Sequence, residues 1–241
     1  MNDYVVGIVG GMGTYATIDF FKRLADAIPA EKEWERPRII IDNKCTMPSR
    51  VRALLYGERR EELEAELADS TGHLMEMGAT RIVFACNTSH CFIPAVWERI
   101  PESRDVILHI IDALGRDLAS KEITEVGLMA TEGTIDSGIY ADTFAPYGIN
   151  VSSPTEAEYS QLREFIEAVK QDTIDDEVSA KFRAFVESFD QDAVIMGCTE
   201  LPIMYSEAVR RGFCPDKQIY DPLQTAIDII VKEYHEYQRT R

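Results

Sequence analysis

Ile82-Val83-Phe84-Ala85-Cys86-Asn87-Thr88-Ser89-His90 is the stretch whose reading decides the fold. Four apolar residues make a buried strand, and a cysteine stands where the strand runs out. Asn87, Thr88 and Ser89 then offer small polar groups at a helix start. Strand-to-helix corners present free backbone N–H groups and the positive end of a helix, a setting that lowers thiol pKa values from about 8.5. The pattern returns at Ala193–Pro202, A-V-I-M-G-C-T-E-L-P, where an apolar strand delivers Cys198 and Thr199 opens a helix. Two thiols on two matching corners organise everything else.

Working outward, Tyr4 to Val9 reads as a buried strand that ends in Gly10-Gly11-Met12-Gly13, and Thr14 is placed to cap a helix carrying Ile18, Phe21, Leu24, Ala25 and Ile28. Gly11, Gly13 and Ala16 fit G-x-G-x-x-A, and Asp42 ends the next strand, so a dinucleotide site is one reading. A loop whose N–H groups hold a small carboxylate is another, and a turn serving packing alone is a third. Arg38 to Ile41 is a strand that brings Asp42 and Asn43 to the sheet end where ligands sit in open α/β folds. Arg50 is either a carboxylate clamp or a solvated surface arginine. Glu58–Met77 reads as one amphipathic helix, and a second helix is expected near Ile93–Ile100. Asp105–Ile111 is expected as a fourth strand.

The pattern then restarts. Glu125-Val-Gly-Leu-Met-Ala-Thr-Glu-Gly-Thr134 echoes the first strand and its glycine loop, with Gly7 and Gly127 spaced by 120 residues and the two cysteines by 112. Two landmarks repeating at nearly one spacing imply an internal duplication. A strand at Ile149–Val151, helices over Thr155–Lys170 and Asp175–Phe189, a strand at Gln218–Tyr220 and a terminal helix from Pro222 complete the second half. Lys170 closes its helix, where a cation suits the helix dipole whatever else it does. The expected architecture is α/β: two pseudo-symmetric open domains with mostly parallel sheets, one built from 1–111 plus 213–241 and the other from 112–212.

Charge narrows the partners. The 241 residues carry 25 Lys+Arg against 42 Asp+Glu, a net charge of −17. Nucleic acid and anionic membrane both call for a basic surface, so neither is expected. No apolar run approaches the roughly 18–20 residues of a membrane span. The five cysteines are scattered without C-x-x-C spacing, which supports neither a zinc ribbon nor a thioredoxin-type dithiol. With a strand beginning at Tyr4 there is no room for a signal peptide, and a cytoplasmic protein with free thiols is expected.

Proton transfer at a carbon next to a carboxylate is easiest to invert with one group on each face, one removing the proton and the other returning one. A thiolate and a thiol serve those two roles, provided the pair works in opposite protonation states. Corner N–H groups with Asn87, Thr88, Thr131 and Thr199 would hold the carboxylate. The bland alternative is that each cysteine merely fills core, as free cysteine often does. His90 and Cys91 are read as structural.

These stretches, taken together and in order, resemble the aspartate/glutamate racemase family, in its cofactor-independent aspartate racemase branch. The resemblance rests on Gly10–Gly13, Ala85–His90, A-T-E-G-T-I-D-S-G-I-Y at Ala130–Tyr140, Ser153–Glu156 and G-C-T-E-L at Gly197–Leu201. Glutamate racemases carry His where this chain has Glu200. The resemblance implies an interdomain cleft, a homodimer, and Cys86 and Cys198 as the acid/base pair without pyridoxal phosphate or metal. It implies Asn87, Thr88, Thr131 and Thr199 at the alpha-carboxylate of a small acidic amino acid, and Arg50 and Lys170 at its side-chain carboxylate. Met12 in the glycine loop and Asn43 are expected as further substrate contacts. The loop before Arg50 reads Pro48-Ser49-Arg50 where the family has P-D-R, and Thr14 replaces a common Pro. A dicarboxylate isomerase on the same scaffold, a nucleotide-binding oxidoreductase and a carboxylate-binding module are the alternatives.

Overall fold

The structure, a computed structural model, describes residues 3–240. Strand β1 (Val5–Gly10) is buried along its whole length, as a central parallel strand covered on both faces must be. It pairs in parallel with β2 (Arg38–Asn43) on one side and β3 (Arg81–Phe84) on the other. In the second half β4 (Glu125–Met129) lies in parallel between β5 (Asn150–Ser152) and β6 (Ala193–Met196). The orders β2-β1-β3 and β5-β4-β6 are the same topology written twice.

Two expectations are corrected at the sheet edges. Asp105–Ile111 is not a strand: a 3-10 turn over Pro101–Asp105 and a helix beginning at Ile110 take its two flanks. What remains is a single parallel bridge from Ile82 to Ile107, with Ile82 N–H donating to Val106 at 2.7 Å and Leu108 N–H donating to Ile82 at 2.8 Å. At the matching place in the other sheet, β7 (Gln218–Tyr220) pairs with β6. That strand therefore belongs to the second sheet, not to the first domain where 213–241 was assigned. Ile107 and Ile219 stand 112 residues apart, the spacing of the cysteines.

The helices are α1 (Thr14–Ala27), α2 (Arg50–Tyr56), α3 (Arg60–Glu76), α4 (Ile93–Arg99), α5 (Ile110–Ser120), α6 (Glu132–Asp136), α7 (Ile139–Phe144), α8 (Tyr159–Lys170), α9 (Asp176–Glu187), α10 (Leu201–Arg210) and α11 (Pro222–Arg239). Gly13 rather than Thr14 occupies the cap of α1, while Thr14 is the first helical residue and its Oγ1 lies 3.1 Å from Cys45 Sγ. Gly57, at φ 66°, ends α2 and sets it apart from α3, the long helix read from sequence. Asp175 and Asp221 cap α9 and α11 by accepting from Val178 N–H and Leu223 N–H, both at 2.9 Å.

The last helix of each half lies on the other half. α11 packs against α1 and α5, and α5 packs in turn against α7. One apolar core accordingly runs through both sheets, from Val6 and Ile8 through Leu114 to Leu128, Ile195 and Ile227. No described helix is long and apolar enough to cross a membrane.

Candidate active site

Both cysteine corners open on one cavity of about 140 Å³ between the two sheets. Cys86 follows β3 and is 7% exposed; Cys198 follows β6 and is 8% exposed. Neither corner passes straight into a helix. Thr88–Phe92 form a 3-10 turn before α4, and two residues separate Cys198 from α10. Met12, Arg50, Asn87, Thr88, Thr131, Lys170 and Thr199 line the same cavity, so it gathers these seven expected side chains around the two thiols.

Asn43 is the exception. It is exposed at the end of β2, with Nδ2 3.2 Å from Cys45 Sγ and 3.5 Å from Thr14 Oγ1, and it is not part of the cavity wall. Its neighbour Asp42 accepts a 2.6 Å hydrogen bond from Ser70 through Oδ2.

The Cys86 corner is held from behind. Its carbonyl accepts from Ser89 Oγ at 2.7 Å and from His90 Nδ1 at 2.9 Å, while His90 Nε2 accepts from Ile110 N–H at 3.3 Å. That pattern puts the imidazole proton on Nδ1. Burial drives the His90 pKa well below its ordinary value, and the His109 ring, 4.8 Å away, pushes the same way. His90 is neutral and holds backbone groups of the corner through both ring nitrogens.

The Cys198 corner is different in kind. Its thiol donates to Glu200 Oε2 at 3.0 Å, and Thr199 Oγ1 donates to the same oxygen at 3.2 Å. Burial raises the Cys198 pKa well above the ordinary thiol value, and the charge and hydrogen bond of Glu200 add to the rise. The corner setting alone pointed to the opposite direction. Glu200 is only 5% exposed and lines the cavity. Across from it, a Cβ on Gly13 would stand 2.8 Å from Glu200 Oε1, so the missing side chain of the glycine loop makes room for this carboxylate.

Three threonine hydroxyls tie the halves together under the cavity. Thr88 Oγ1 lies 2.8 Å from Thr134 Oγ1 and 3.3 Å from Thr131 Oγ1, and the last two are 3.0 Å apart. Arg50 is no surface residue: its guanidinium donates to Met12 O at 2.7 Å and Pro48 O at 3.1 Å, leaving Nε buried with no partner. The Lys170 ammonium donates to Glu167 at 2.9 Å. Burial pulls its pKa down, but Glu167, Glu200 and Cys198 outweigh that, and the pKa is raised. Lys170 is a charged group on the cavity wall as well as a helix-end cation.

Sequence reasoning missed Glu200 as a wall residue, along with Ser49, Val51 and Ile166. The signal for Glu200 was an acid set directly between an apolar strand and the apolar start of a helix. The others carried none.

Residues 9–230 match the Asp/Glu/Hydantoin racemase family. The chain belongs to that family. As a family member it is similar to a Picrophilus torridus aspartate racemase, at 25% identity and a TM-score of 0.78 over 96% of this chain and 94% of that one. A glutamate racemase from Lactobacillus johnsonii is 26% identical over 230 residues, covering 92% of this chain and 77% of the relative. A Francisella tularensis glutamate racemase in complex with D-glutamate shares the fold, with a TM-score of 0.70 at 19% identity over 99% of this chain and 83% of that one. Membership in a racemase family supports an isomerase.

Proposed function

We propose that the protein interconverts the enantiomers of a small acidic amino acid, aspartate foremost, by two-base proton transfer between Cys86 and Cys198. The observation that carries the reading is that both thiols border one small cavity whose wall also holds Arg50 and Lys170. Two cations, a set of uncharged donors and the Glu200 carboxylate suit a small substrate with two carboxylates and an ammonium group. Likeness to an aspartate racemase of nearly equal length favours aspartate over glutamate.

In this reading the Cys86 thiolate removes the alpha proton while the Cys198 thiol returns one to the opposite face. The turn ends with Cys86 as thiol and Cys198 as thiolate, and the reverse direction starts there. Negative charge that develops on the alpha-carboxylate is met by Asn87, Thr88, Thr131 and Thr199. Arg50 and Lys170 fix the side-chain carboxylate. The Cys198–Glu200 bond keeps Cys198 protonated until the carbanion needs its proton. Both thiols must stay reduced, as they would in the cytoplasm.

The test uses the purified protein with L-aspartate, L-glutamate and maleate, followed by chiral chromatography and by alpha-proton exchange in deuterated water. Cys86→Ala and Cys198→Ala are each expected to abolish racemisation with an unchanged circular dichroism spectrum. Full activity in either variant would refute the two-base assignment.

A further inference from the structure

Asn87 sits between two very different neighbours. Its Oδ1 accepts a 2.7 Å hydrogen bond from the Tyr140 hydroxyl, whereas its Nδ2 is buried, partnerless, and belongs to a residue of the cavity wall. Asn87 is 2% exposed and Tyr140 1%. A buried amide N–H without an acceptor is costly, so a site that keeps one is built for an acceptor that arrives later.

The proton count at this pair fixes which end of the amide faces inward. Burial raises the Tyr140 pKa well above its ordinary value, so the phenol keeps its proton and must donate it. Asn87 Oδ1 is the acceptor it has. With the amide turned over, Nδ2 could donate to the phenol oxygen, but the phenol proton would lose its acceptor and a carbonyl would face the incoming carboxylate. Tyr140 comes from α7 of the second half and reaches across to a residue of the first, its ring held edge-on to Phe144 at 5.6 Å. At the spacing of 120 that separates Gly7 from Gly127, the first half carries Phe20, fully buried and without a hydroxyl. The hydroxyl is thus a departure from the repeat, found where an amide needs orienting.

We propose that Tyr140 is a positioning residue which locks the Asn87 amide with Nδ2 toward the cavity, presetting a donor for the substrate's alpha-carboxylate. The proposal rests on the racemase reading of the same cavity. Its chemistry is narrow: the preset donor rewards a carboxylate oxygen and penalises a group that offers N–H there.

The experiment compares wild type, Tyr140→Phe, Asn87→Ala and the double variant in steady-state racemisation of L-aspartate. A parallel ¹⁵N spectrum of the asparagine side chains follows the Asn87 amide, assigned by its loss in Asn87→Ala. Tyr140→Phe keeps the ring and its packing. It is expected to lower kcat/KM about tenfold, mostly through KM, and to add nothing to Asn87→Ala. In the spectrum, the Asn87 NH₂ pair should be sharp in wild type and broadened or shifted in Tyr140→Phe. Additive losses in the double variant, or an unmoved Asn87 amide signal in Tyr140→Phe, overturn the proposal. If wild type racemises no acidic amino acid, the functional reading fails, while the amide signal still decides whether Tyr140 orients Asn87.

Discussion

The Cys198 thiol and the Glu200 carboxylate form a 3.0 Å hydrogen bond in which sulphur is the donor. It is an arrangement that opposes ionisation of the thiol, since a thiolate there would face a carboxylate in a buried setting. The Cys86 corner holds its residue by a backbone carbonyl instead, through Ser89 and neutral His90. Two corners alike in sequence pattern thus treat their sulphurs differently, and the proposed two-base transfer calls for a pair in opposite protonation states.

Glu200→Gln removes the charge and keeps the shape. Burial remains, but the added push from Glu200 disappears, so the Cys198 pKa should fall toward its ordinary value. In a Cys86→Ala background, the pH profile of Cys198 alkylation by iodoacetamide should move to lower pH. A profile that stays in place would mean burial alone sets this thiol.

Gly13→Ala tests the contact across the cleft. Gly13 has extended backbone at φ −146°, which alanine adopts freely, so the cost of substitution is local. The new methyl meets Glu200 Oε1 and shifts the carboxylate whose other oxygen, Oε2, accepts from Cys198. Activity should drop at least tenfold. Stability should fall by only about 1 kcal/mol, near 2–4 °C in Tm, as expected for alanine at a helix cap.

The paired histidines predict acid sensitivity. Burial lowers the pKa of His90 and, with less effect, that of His109, so both stay neutral in the folded chain. In the unfolded chain they bind protons below about pH 6.5. Stability is therefore whole above that pH and is lost as pH falls below it, by up to about 1.4 kcal/mol per pH unit for each ring. Urea denaturation between pH 7 and 5 should show a shallower decline in His90→Gln than in wild type. Equal slopes would assign the acid sensitivity to carboxylates.

Arg23 joins the two halves through a 2.6 Å bond to Asp221, with Asp19 and Gln224 completing its shell. Burial raises the Asp221 pKa against the pull of Arg23. Arg23→Met strands that carboxylate and should cost about 2–3 kcal/mol, less than a fully buried pair because Arg23 keeps some exposure. Asp221→Asn in the same background should recover part of the loss in urea unfolding.

What the sequence revealed was whatever depends on near neighbours along the chain. Apolar runs of four to six residues located β1, β3, β4 and β6, because strands covered on both faces leave no polar positions to confuse the reading. The repeat spacing revealed the paired corners. Edges were harder: 105–111 has the apolar content of a strand, but the adjoining turn and helix claim its ends and leave one bridge. Asn43 stands at the favoured end of its strand, yet β2 is the outermost strand of its sheet, to one side of the cavity. Glu200 and Tyr140 act through partners 2 and 53 positions away, and nothing in a residue type announces which atom it will meet. Gly13 looked like phosphate-binding machinery because an absent side chain does not say what fills the space.

The exchange of final helices, α5 onto the second half and α11 onto the first, means that neither repeat is a self-sufficient unit. A polypeptide ending near residue 120 would carry the apolar side of α5 with nothing beneath it, and its natural cover would be the α5 of another such polypeptide. Two single repeats swapping arms would rebuild the gap with a sulphur on each wall. The present chain has the form of two such repeats joined end to end, with one wall acidic and the other not.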